Sequence, residues 1–380
     1  MRKGWEYKKL GEVCCPKSKI QRATKCFGGS DEILYIDISS IDNSVQEVNS
    51  ITSFTMSNAP SRAQQKVEYG DIIVSTVRPN LKNVAFIKQH DSNLVVSSGF
   101  CVLRTTDDIE RNYLFRYITS DIFTQHLMKL TTGANYPAVR DLDVRDSTIP
   151  LPPKSTQIEI VSELDKINEL IRLKKEQLKD FDNLAQSLFY EMFGDPVENE
   201  KGWEVKKLVE VSSLINGRAY KQNELLNEGK YKVLRVGNFF TNSNYYYSNL
   251  ELDDEKYCYK GDLLFAWSAS FGAFIWDEGK TIFHYHIWRV LFDEKNLNIY
   301  YYKYLLNTMT NFFMNDVHGI GMVHLTKAGM EQYNLPLPPL PLQHLFAHRI
   351  DQIEHQKAEV QKAITDLETL LASRMQYWFE

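Results

Sequence analysis

Two long stretches of the chain place apolar side chains at steps that alternate between four and three residues. The positions are Ile160, Leu164, Ile167, Ile171, Leu178, Phe181, Ala185, Leu188 and Met192 in the first stretch, and Phe346, Ile350, Ile353, Val360, Ile364, Leu367, Leu371 and Trp378 in the second. This rhythm is typical of the seam of a coiled coil, with Lys174 interrupting the first stretch and Lys357 and Arg374 the second. The pattern therefore predicts two long helices.

Two helices that share one register in one chain favour pairing with each other, although packing of each helix against its own domain is an alternative. Because a folded domain lies between them in the sequence, the simplest closure makes the two helices antiparallel. We expect the pairing contacts to come from Leu164, Ile171, Leu178, Phe181, Ile350, Ile353, Val360, Ile364 and Leu367.

Proline-rich segments mark the places where both helices begin. Pro150–Pro153 and Pro336–Pro339 bar continuation of a preceding element, and Thr156 with Glu159 has the spacing of a capping box. Gly194 is a stop signal for the first helix. The predicted segments are a central helix at residues 151–194 and a C-terminal helix at residues 339–380.

The other two segments, residues 1–150 and 195–338, are related to each other in sequence. Gly4–Val13 returns as Gly202–Val211, and Gly70–Val74 returns as Gly261–Phe265. The ends of the two segments match better than their middles. This is the pattern expected of two similar domains that recognise different things.

Short β-branched and aromatic runs follow each Gly-Asp pair, which indicates turns that lead into strands, and helical stretches follow near residues 110–130 and 297–315. The predicted fold class is α+β. It consists of two tandem mixed α/β domains separated by two long antiparallel helices that form a coiled coil, with an internal pseudo-two-fold repeat.

From its composition we expect a cytoplasmic protein, and its charge bears on whether the chain alone can bind nucleic acid. No apolar run approaches the roughly 20 residues that cross a bilayer, and the N-terminus has no signal peptide. The five cysteines include no C-x-x-C pair, which favours reduced thiols. The chain has a net charge of -5, and none of its four segments is strongly basic. If it binds nucleic acid, a partner must supply part of the phosphate contact.

Motifs of catalysis and metal binding are missing from the sequence. Gly279-Lys280-Thr281 resembles the end of a P-loop, but Phe274 stands where that motif requires glycine. No dinucleotide fingerprint, amino-methyltransferase tetrapeptide or nucleophile elbow is present. The histidines at 284, 286, 318 and 324 lack cysteine or carboxylate partners at metal spacing, so we expect polar or nucleic-acid contacts rather than a metal.

Loops that follow strands hold the candidate DNA contacts, because recognition residues usually lie on loops. Arginine suits guanine and asparagine suits adenine in the major groove. Arg78 precedes Pro79, which predicts an extended backbone at Arg78. Each loop taken alone is typical of an ordinary protein surface. The loops lie at matching places in the two domains, and only this favours the interpretation that they are recognition loops. The candidates are Arg78, Asn80, Lys82, Asn135, Tyr136, Arg140, Arg235, Asn238, Ser268, Ser270, His318 and His324.

With these features the chain resembles a specificity (S) subunit of a Type I restriction-modification enzyme. The resemblance rests on Gly-Trp-Glu-x-x-Lys-Leu segments that begin at Gly4 and Gly202, on Gly-Asp pairs at Gly70 and Gly261, and on Pro-Leu-Pro-Pro segments followed by Gln157 and Gln343. The resemblance implies that residues 1–150 and 195–338 are target recognition domains and that the helices are a spacer.

The resemblance also implies a chain without catalysis of its own that reads double-stranded DNA in two half-sites. Its partners would be two methyltransferase subunits that bind S-adenosylmethionine, and restriction (translocase and nuclease) subunits that use ATP and Mg. Two other readings stay open from the sequence. One is a protein-binding coiled-coil scaffold without a DNA role, and the other is a self-sufficient nuclease or methylase.

Overall fold

The computed structural model describes residues 4–133, 137–241, 244–316 and 325–380. The chain divides into two compact units. The first contains residues 1–174 and 363–380, and the second contains residues 175–362. Each unit therefore combines one globular domain with parts of both long helices, which run over Lys154–Phe193 and Leu340–Phe379.

The first domain contains eleven strands and five short helices among its described residues. In chain order they are β1 (Glu6–Lys9), α1 (Leu10–Val13), α2 (Ala23–Cys26), β2 (Glu32–Ile36), β3 (Ile41–Asp42), β4 (Glu47–Val48), β5 (Thr52–Thr55), β6 (Ala63–Lys66), β7 (Ile72–Ser75), β8 (Val84–Phe86), β9 (Leu94–Ser97), β10 (Phe100–Leu103), α3 (Arg111–Ile118), α4 (Asp121–Leu130), α5 (Asp141–Arg145) and β11 (Thr148–Leu151).

The long helix α6 (Lys154–Phe193) follows, and the second domain comes after it. Its elements are β12 (Glu204–Lys207), α7 (Leu208–Val211), β13 (Ser212–Asn216), β14 (Tyr231–Leu234), α8 (Val236–Phe240), β15 (Tyr246–Ser248), β16 (Tyr257–Cys258), β17 (Leu263–Ser268), β18 (Ser270–Ile275), β19 (Thr281–Phe283), β20 (Ile287–Phe292), α9 (Ile299–Thr308), α10 (Thr310–Asp316), α11 (Lys327–Met330) and β21 (Asn334–Leu337). The helix α12 (Leu340–Phe379) ends the chain.

The two domains have the same sheet topology. One sheet has the order β5-β2-β9-β6 in the first domain and β15-β14-β19-β16 in the second, and β2–β9 and β14–β19 are the parallel pairs. A second sheet has the order β10-β7-β8 and β20-β17-β18, with β13 added at the edge in the second domain. A third pair joins the two ends of each domain, β1 to β11 and β12 to β21. The repeat therefore extends through the middles, where the sequences diverge.

The repeated Gly-Asp pairs have a structural role. Gly70 and Gly261 adopt φ angles of 87° and 96°, a region that favours glycine. The next residue closes the turn, because the Asp71 carboxylate accepts a hydrogen bond from the backbone N–H of Glu68 at 2.9 Å. Asp71 also binds Arg104, the residue after β10, through two hydrogen bonds of 2.8 Å. The motif thus fixes how β7 leaves its turn.

The seam of each long helix is buried largely where the sequence predicts it. The buried positions are Ile160, Leu164, Ile167, Ile171, Ala185, Phe346, Ile350, Ile353, Val360 and Ile364, while Leu178, Phe181 and Leu367 are partly buried. The heptad assignment is wrong at the end of α6, where Phe189 and Phe193 are buried and Leu188 and Met192 only partly so. There the helix packs on the domain core, including Tyr301, so a step of four replaces the step of three.

Two of the polar interruptions of the seam, Lys357 and Arg374, form ion pairs between the helices. In the second unit, Lys357 Nζ lies 2.7 Å from Asp182 Oδ1, and Phe193 packs against Phe346. Residue numbers rise along α6 from Asp182 to Phe193 while they fall along α12 from Lys357 to Phe346. The two helices are therefore antiparallel in this unit.

In the first unit, Arg374 binds both carboxylate oxygens of Glu163. Trp378 Nε1 donates to the same carboxylate at 3.0 Å. The Arg374 hydrogen bond is the largest influence that lowers the pKa of Glu163. The charged positions in the seam therefore satisfy each other.

A buried glutamine at the start of each long helix bonds it to its domain. Gln157 accepts from the backbone N–H of Glu110 at 2.7 Å and donates to the carbonyl of Pro152 at 2.8 Å. Gln343 accepts from the N–H of Asn298 at 2.8 Å and donates to two carbonyls. α6 begins at Lys154, so the predicted cap at Thr156 is wrong. The prolines allow an earlier start, because the fixed φ of proline suits the first helical turn.

Replacing Gln157 or Gln343 with alanine should destabilise its domain by about 1 to 3 kcal/mol, because buried backbone groups lose their partners. Urea unfolding of the single variants measures this loss. Gln352→Ala is the matched control, since Gln352 is an exposed residue of α12. Equal stability of Gln343→Ala and Gln352→Ala would contradict the structural role.

Candidate nucleic-acid interface

The parallel strand pair of each domain brings two distant loops together. β2 and β9 end at the same edge of their sheet, so the turn at residues 37–40 lies near the loop at residues 98–99. In the second domain β14 and β19 do the same for residues 235–240 and 284–286. Loops at the carboxyl ends of parallel strands are a common place for binding sites.

In the second domain these two loops line a cavity of about 680 Å³. Arg235, His284 and His286 face it together with polar and tyrosine side chains. The Arg235 guanidinium lies 5.2 Å from the centre of the Tyr246 ring, and the two imidazole rings lie 4.8 Å apart. The cavity therefore combines one cation with rings that can stack and hydrogen bond.

His284 is held in its neutral form. Burial, with smaller contributions from the nearby His286 and Arg235, lowers its pKa to about 4. The ring is therefore uncharged above about pH 5 and can both donate and accept a hydrogen bond. A neutral imidazole suits recognition of a base edge better than it suits neutralisation of a phosphate.

In the first domain the same region opens into a cleft of about 750 Å³. The cleft is lined by basic side chains from residues 17–25, by Gln64 and Gln65, by Thr76 and Ser98, and by the acidic Asp141. Thr76 follows β7 on the loop that contains the candidate Arg78, and Ser98 follows β9. The sequence analysis missed residues 17–25, although the run Lys-Ser-Lys-Ile-Gln-Arg-Ala-Thr-Lys is a visible signal.

The backbone prediction for Arg78 is wrong. Its φ and ψ angles are 50° and 63°, in the left-handed region, and Pro79 follows in a short 3-10 turn that ends with Lys82 at φ 51°. The turn is held in place because the Arg78 N–H donates to the carbonyl of Pro137 at 2.7 Å. This contact overrides the local preference of a residue before proline. It also brings the loop that contains Arg78 beside the loop that contains Arg140.

Two predicted cations have partners within the chain. Lys82 Nζ lies 2.6 Å from Asp121, and the exposed Arg140 side chain binds both carboxylate oxygens of Asp143 at 2.6 and 3.1 Å. Asn80 is exposed on the same loop as Arg78. Asn135 and Tyr136 lie outside the described residues.

In the second domain one predicted contact does not fit the structure. Ser268 is only 2% exposed, because it ends β17 in a tight hairpin where it pairs with Ser270 across Ala269. Asn238 caps α8, since its side chain accepts from the Arg235 N–H at 2.8 Å. The structure thus joins Arg235 and Asn238 in one turn. His318 and His324 lie outside the described residues.

Within the described ranges, no group of three or more histidine, cysteine or acidic side chains is placed to hold a metal ion. The five cysteines are free. Among the described residues, no helix is both long enough and apolar enough to pass through a bilayer.

The chain contains a duplicated α+β domain, and each copy leads into a long paired helix. The two copies carry different loops at the same place. These features define a protein with two recognition domains. The family model for the Type I restriction modification DNA specificity domain matches residues 2–180 and again residues 200–369. The chain belongs to this family, as the resemblance in its sequence predicted.

Relatives support the same assignment. The Type I restriction enzyme MjaIX specificity subunit of Methanocaldococcus jannaschii is 24% identical over 324 residues, which are 78% of this chain and 74% of that protein. A solved chain described under "Structural basis underlying complex assembly and conformational transition of the type I R-M system" matches with a TM-score of 0.68 and 27% identity, over 99% of this chain and 97% of that one.

A second solved structure shows the shared fold only. The Type-I restriction-modification system S subunit from M. genitalium matches with a TM-score of 0.51 at 12% identity. The match covers 99% of this chain and 96% of that chain.

Proposed function

We propose that this chain is the non-catalytic DNA-recognition subunit of a Type I restriction-modification complex and that each domain reads one half of a bipartite target. The observation that carries the proposal is one backbone scaffold bearing unlike side chains. Ser40 accepts from the Asp37 N–H at 3.1 Å, as Asn238 accepts from the Arg235 N–H at 2.8 Å. The first turn thus presents the acidic Asp37 at the position where the second presents the basic Arg235.

The base contacts we propose lie on the loops after β14 and β19 in the second domain and on the loop after β7 in the first. Arg235 has the donors to bind guanine with two hydrogen bonds, and neutral His284 suits a base edge. In the first domain we propose Arg78 and Asn80, both exposed, beside the cleft. Lys82 and Arg140 are proposed as phosphate contacts, which requires them to exchange their carboxylate partners for DNA.

We further propose that the paired helices set the distance between the half-sites and dock two methyltransferase subunits. Leu173, Leu184, Leu345 and Leu370 are 46–51% exposed on α6 and α12, which supports a protein partner. S-adenosylmethionine would bind the methyltransferase subunits, and ATP and Mg the restriction subunits. The chain has a net charge of -5, so it is poorly suited to neutralise DNA phosphates alone. Partner subunits that close on the DNA would supply the remaining phosphate contacts.

Reconstitution with the methyltransferase subunits tests this function. The complex should methylate one bipartite sequence, and methylation should disappear when this chain is left out. Mapping modified bases on a library of random DNA identifies the target and the unread spacer. Assembly of the complex without any sequence preference would instead support a protein-binding scaffold. Methyl transfer by this chain alone would show a self-sufficient methylase.

The helix pair predicts a change of spacer. Four residues inserted after Lys174 should lengthen a regular α6 by about 6 Å, close to two base-pair steps of roughly 3.4 Å. The inserted turn also unwinds the coiled coil locally. The target mapped for this variant should keep both half-sites and gain spacer. The same insertion after the exposed Glu198, beyond the helix, should leave the spacer alone. An unchanged spacer in an active complex with the longer helix would refute the role.

A further inference from the structure

The cleft of the first domain is lined by a basic segment, residues 17–25, whose role in the proposed function has not been assigned above. We propose that Lys17, Arg22 and Lys25 bind the phosphates of one DNA strand along the first half-site. The inference rests on the proposed function and deepens it. It assigns phosphate contact to this segment and leaves base contact to Arg78 and Asn80 on the loop after β7.

Buried anchors hold the segment in place. A 3-10 turn over Lys17–Lys19 leads to α2, and both Ile20 between them and Ala23 at the start of α2 are buried. The Lys66 N–H on β6 donates to the carbonyl of Gln21 at 2.9 Å. Because these anchors point inward, the cations beside them point outward. Cations on an ordered element lose little conformational entropy when they bind an anion.

The charges of the segment are weakly compensated within the chain. Lys17 lies 3.5 Å from Asp141, whose carboxylate also binds Arg145 at 2.9 Å. Across the ranges that the structure describes, no carboxylate lies within 4.0 Å of Arg22 or Lys25. Both are exposed and line the cleft. An external anion is therefore the partner that this charge fits.

The corresponding segment of the second domain differs in this respect. It also follows a one-turn helix, α7, but Arg218 binds both carboxylate oxygens of Glu224 at 2.8 and 3.0 Å. Glu224 also accepts from the Lys221 N–H at 2.8 Å, and Arg218 is its main influence in lowering its pKa to about 2. Arg218 of the second domain thus has a carboxylate partner within the chain, whereas no carboxylate among the described residues lies within 4.0 Å of Arg22 or Lys25.

The opposite wall of the cleft suits a DNA backbone. Gln65 donates its amide hydrogens to the carbonyls of Ser97 and Phe100, so it supports the loop after β9. Ser98 lies on that loop and faces the cleft. The Thr76 N–H donates to the carbonyl of Gly99 at 2.8 Å, which joins the loop after β9 to the loop that contains Arg78. A strand that follows the cations would therefore pass beside the base contacts that we propose. Phosphate contacts commonly fix the register of such a duplex.

The test uses the complete complex with its methyltransferase subunits and the double variant Arg22→Gln/Lys25→Gln. The slope of log affinity against log salt concentration should fall by about two, close to one for each lost phosphate contact. Affinity should fall by the same factor for every single-base variant of the first half-site. The mapped target sequence should stay the same.

Lys260→Gln/Lys295→Gln is the matched control, because it removes two exposed charges from the second domain. The inference expects this control to keep the original salt slope. An unchanged slope in the Arg22/Lys25 variant, or an equal change in the control, would overturn the inference. Loss confined to one base position would show base contact instead, and failed assembly would show a protein-docking surface. Either result would also overturn it. Absence of any bipartite target in the unmodified complex would refute the proposed function itself.

Discussion

Exchange of residues 10–140 for the matching segment of a related specificity subunit should replace the first half of the target and leave the second half unchanged. The basis is that each domain carries its own loops at the ends of its parallel strands. The elements that join the first domain to the long helices lie outside the exchanged segment. They are β1, β11 and the start of α6.

Some of the contacts across the junctions tolerate this exchange because they use backbone atoms of the exchanged segment. Arg145 donates to the carbonyls of Cys15 and Val102 at 3.0 and 2.6 Å. Gln157 accepts from the backbone N–H of Glu110. A foreign segment with the same fold offers these carbonyls and N–H groups whatever its side chains are.

Side chains of the exchanged segment also cross the junctions, since Tyr113 and Tyr117 donate to the carbonyls of Pro150 and Thr148 and Arg116 binds Asp165. The cost of the exchange should therefore be small when the donor subunit keeps these three side chains.

Methylation mapping of a series of such exchanges measures the outcome. The corresponding exchange in the second domain, over residues 208–325, is the control. It should replace only the second half of the target. If both halves changed together, or if the whole series failed to assemble, the two domains would not read DNA independently.

The long helices were predictable because their burial follows a local period. Spacing along the sequence alone places Ile160, Leu164, Ile350 and Ile364 in the seam, and the structure buries all four. The pattern fails at Phe189, where a contact with Tyr301 of the domain core decides which face is buried. Sequence period predicts an element well until another element competes for the same face.

The candidate sites were less predictable because they depend on contacts between distant residues. Parallel pairing of β14 with β19 brings Arg235 and His284 to one cavity, and no local pattern indicates such a pairing. The backbone of Arg78 depends on the carbonyl of Pro137. The burial of Ser268 depends on a tight hairpin. In contrast, the basic run at residues 17–25 is local and could have been identified.

Gly217→Ala should disrupt the second recognition site more than Gly229→Ala, Gly272→Ala or Gly279→Ala, because the added Cβ lies closest to fixed backbone at Gly217. A Cβ at Gly217 would lie 2.4 Å from the carbonyl oxygens of both Phe283 and His284. Those oxygens belong to backbone that is fixed on both sides. The His284 N–H donates to the carbonyl of Leu234 at 2.9 Å, and the Arg218 N–H donates to that of Phe283 at 3.1 Å. The methyl group must therefore displace the loop that carries His284 and His286.

We expect Gly217→Ala to cost about 1 to 3 kcal/mol or more of stability, as overpacking of a filled interior does. Discrimination at the second half-site should be lost with it, while the first half-site is still read. Thermal unfolding and target mapping of the reconstituted complex measure the two effects. Gly279→Ala is the matched control, because a Cβ there meets no atom within 4 Å. Normal recognition of the second half-site by Gly217→Ala would show that the loop at residues 284–286 does not read DNA, or that the backbone yields at no cost to the site.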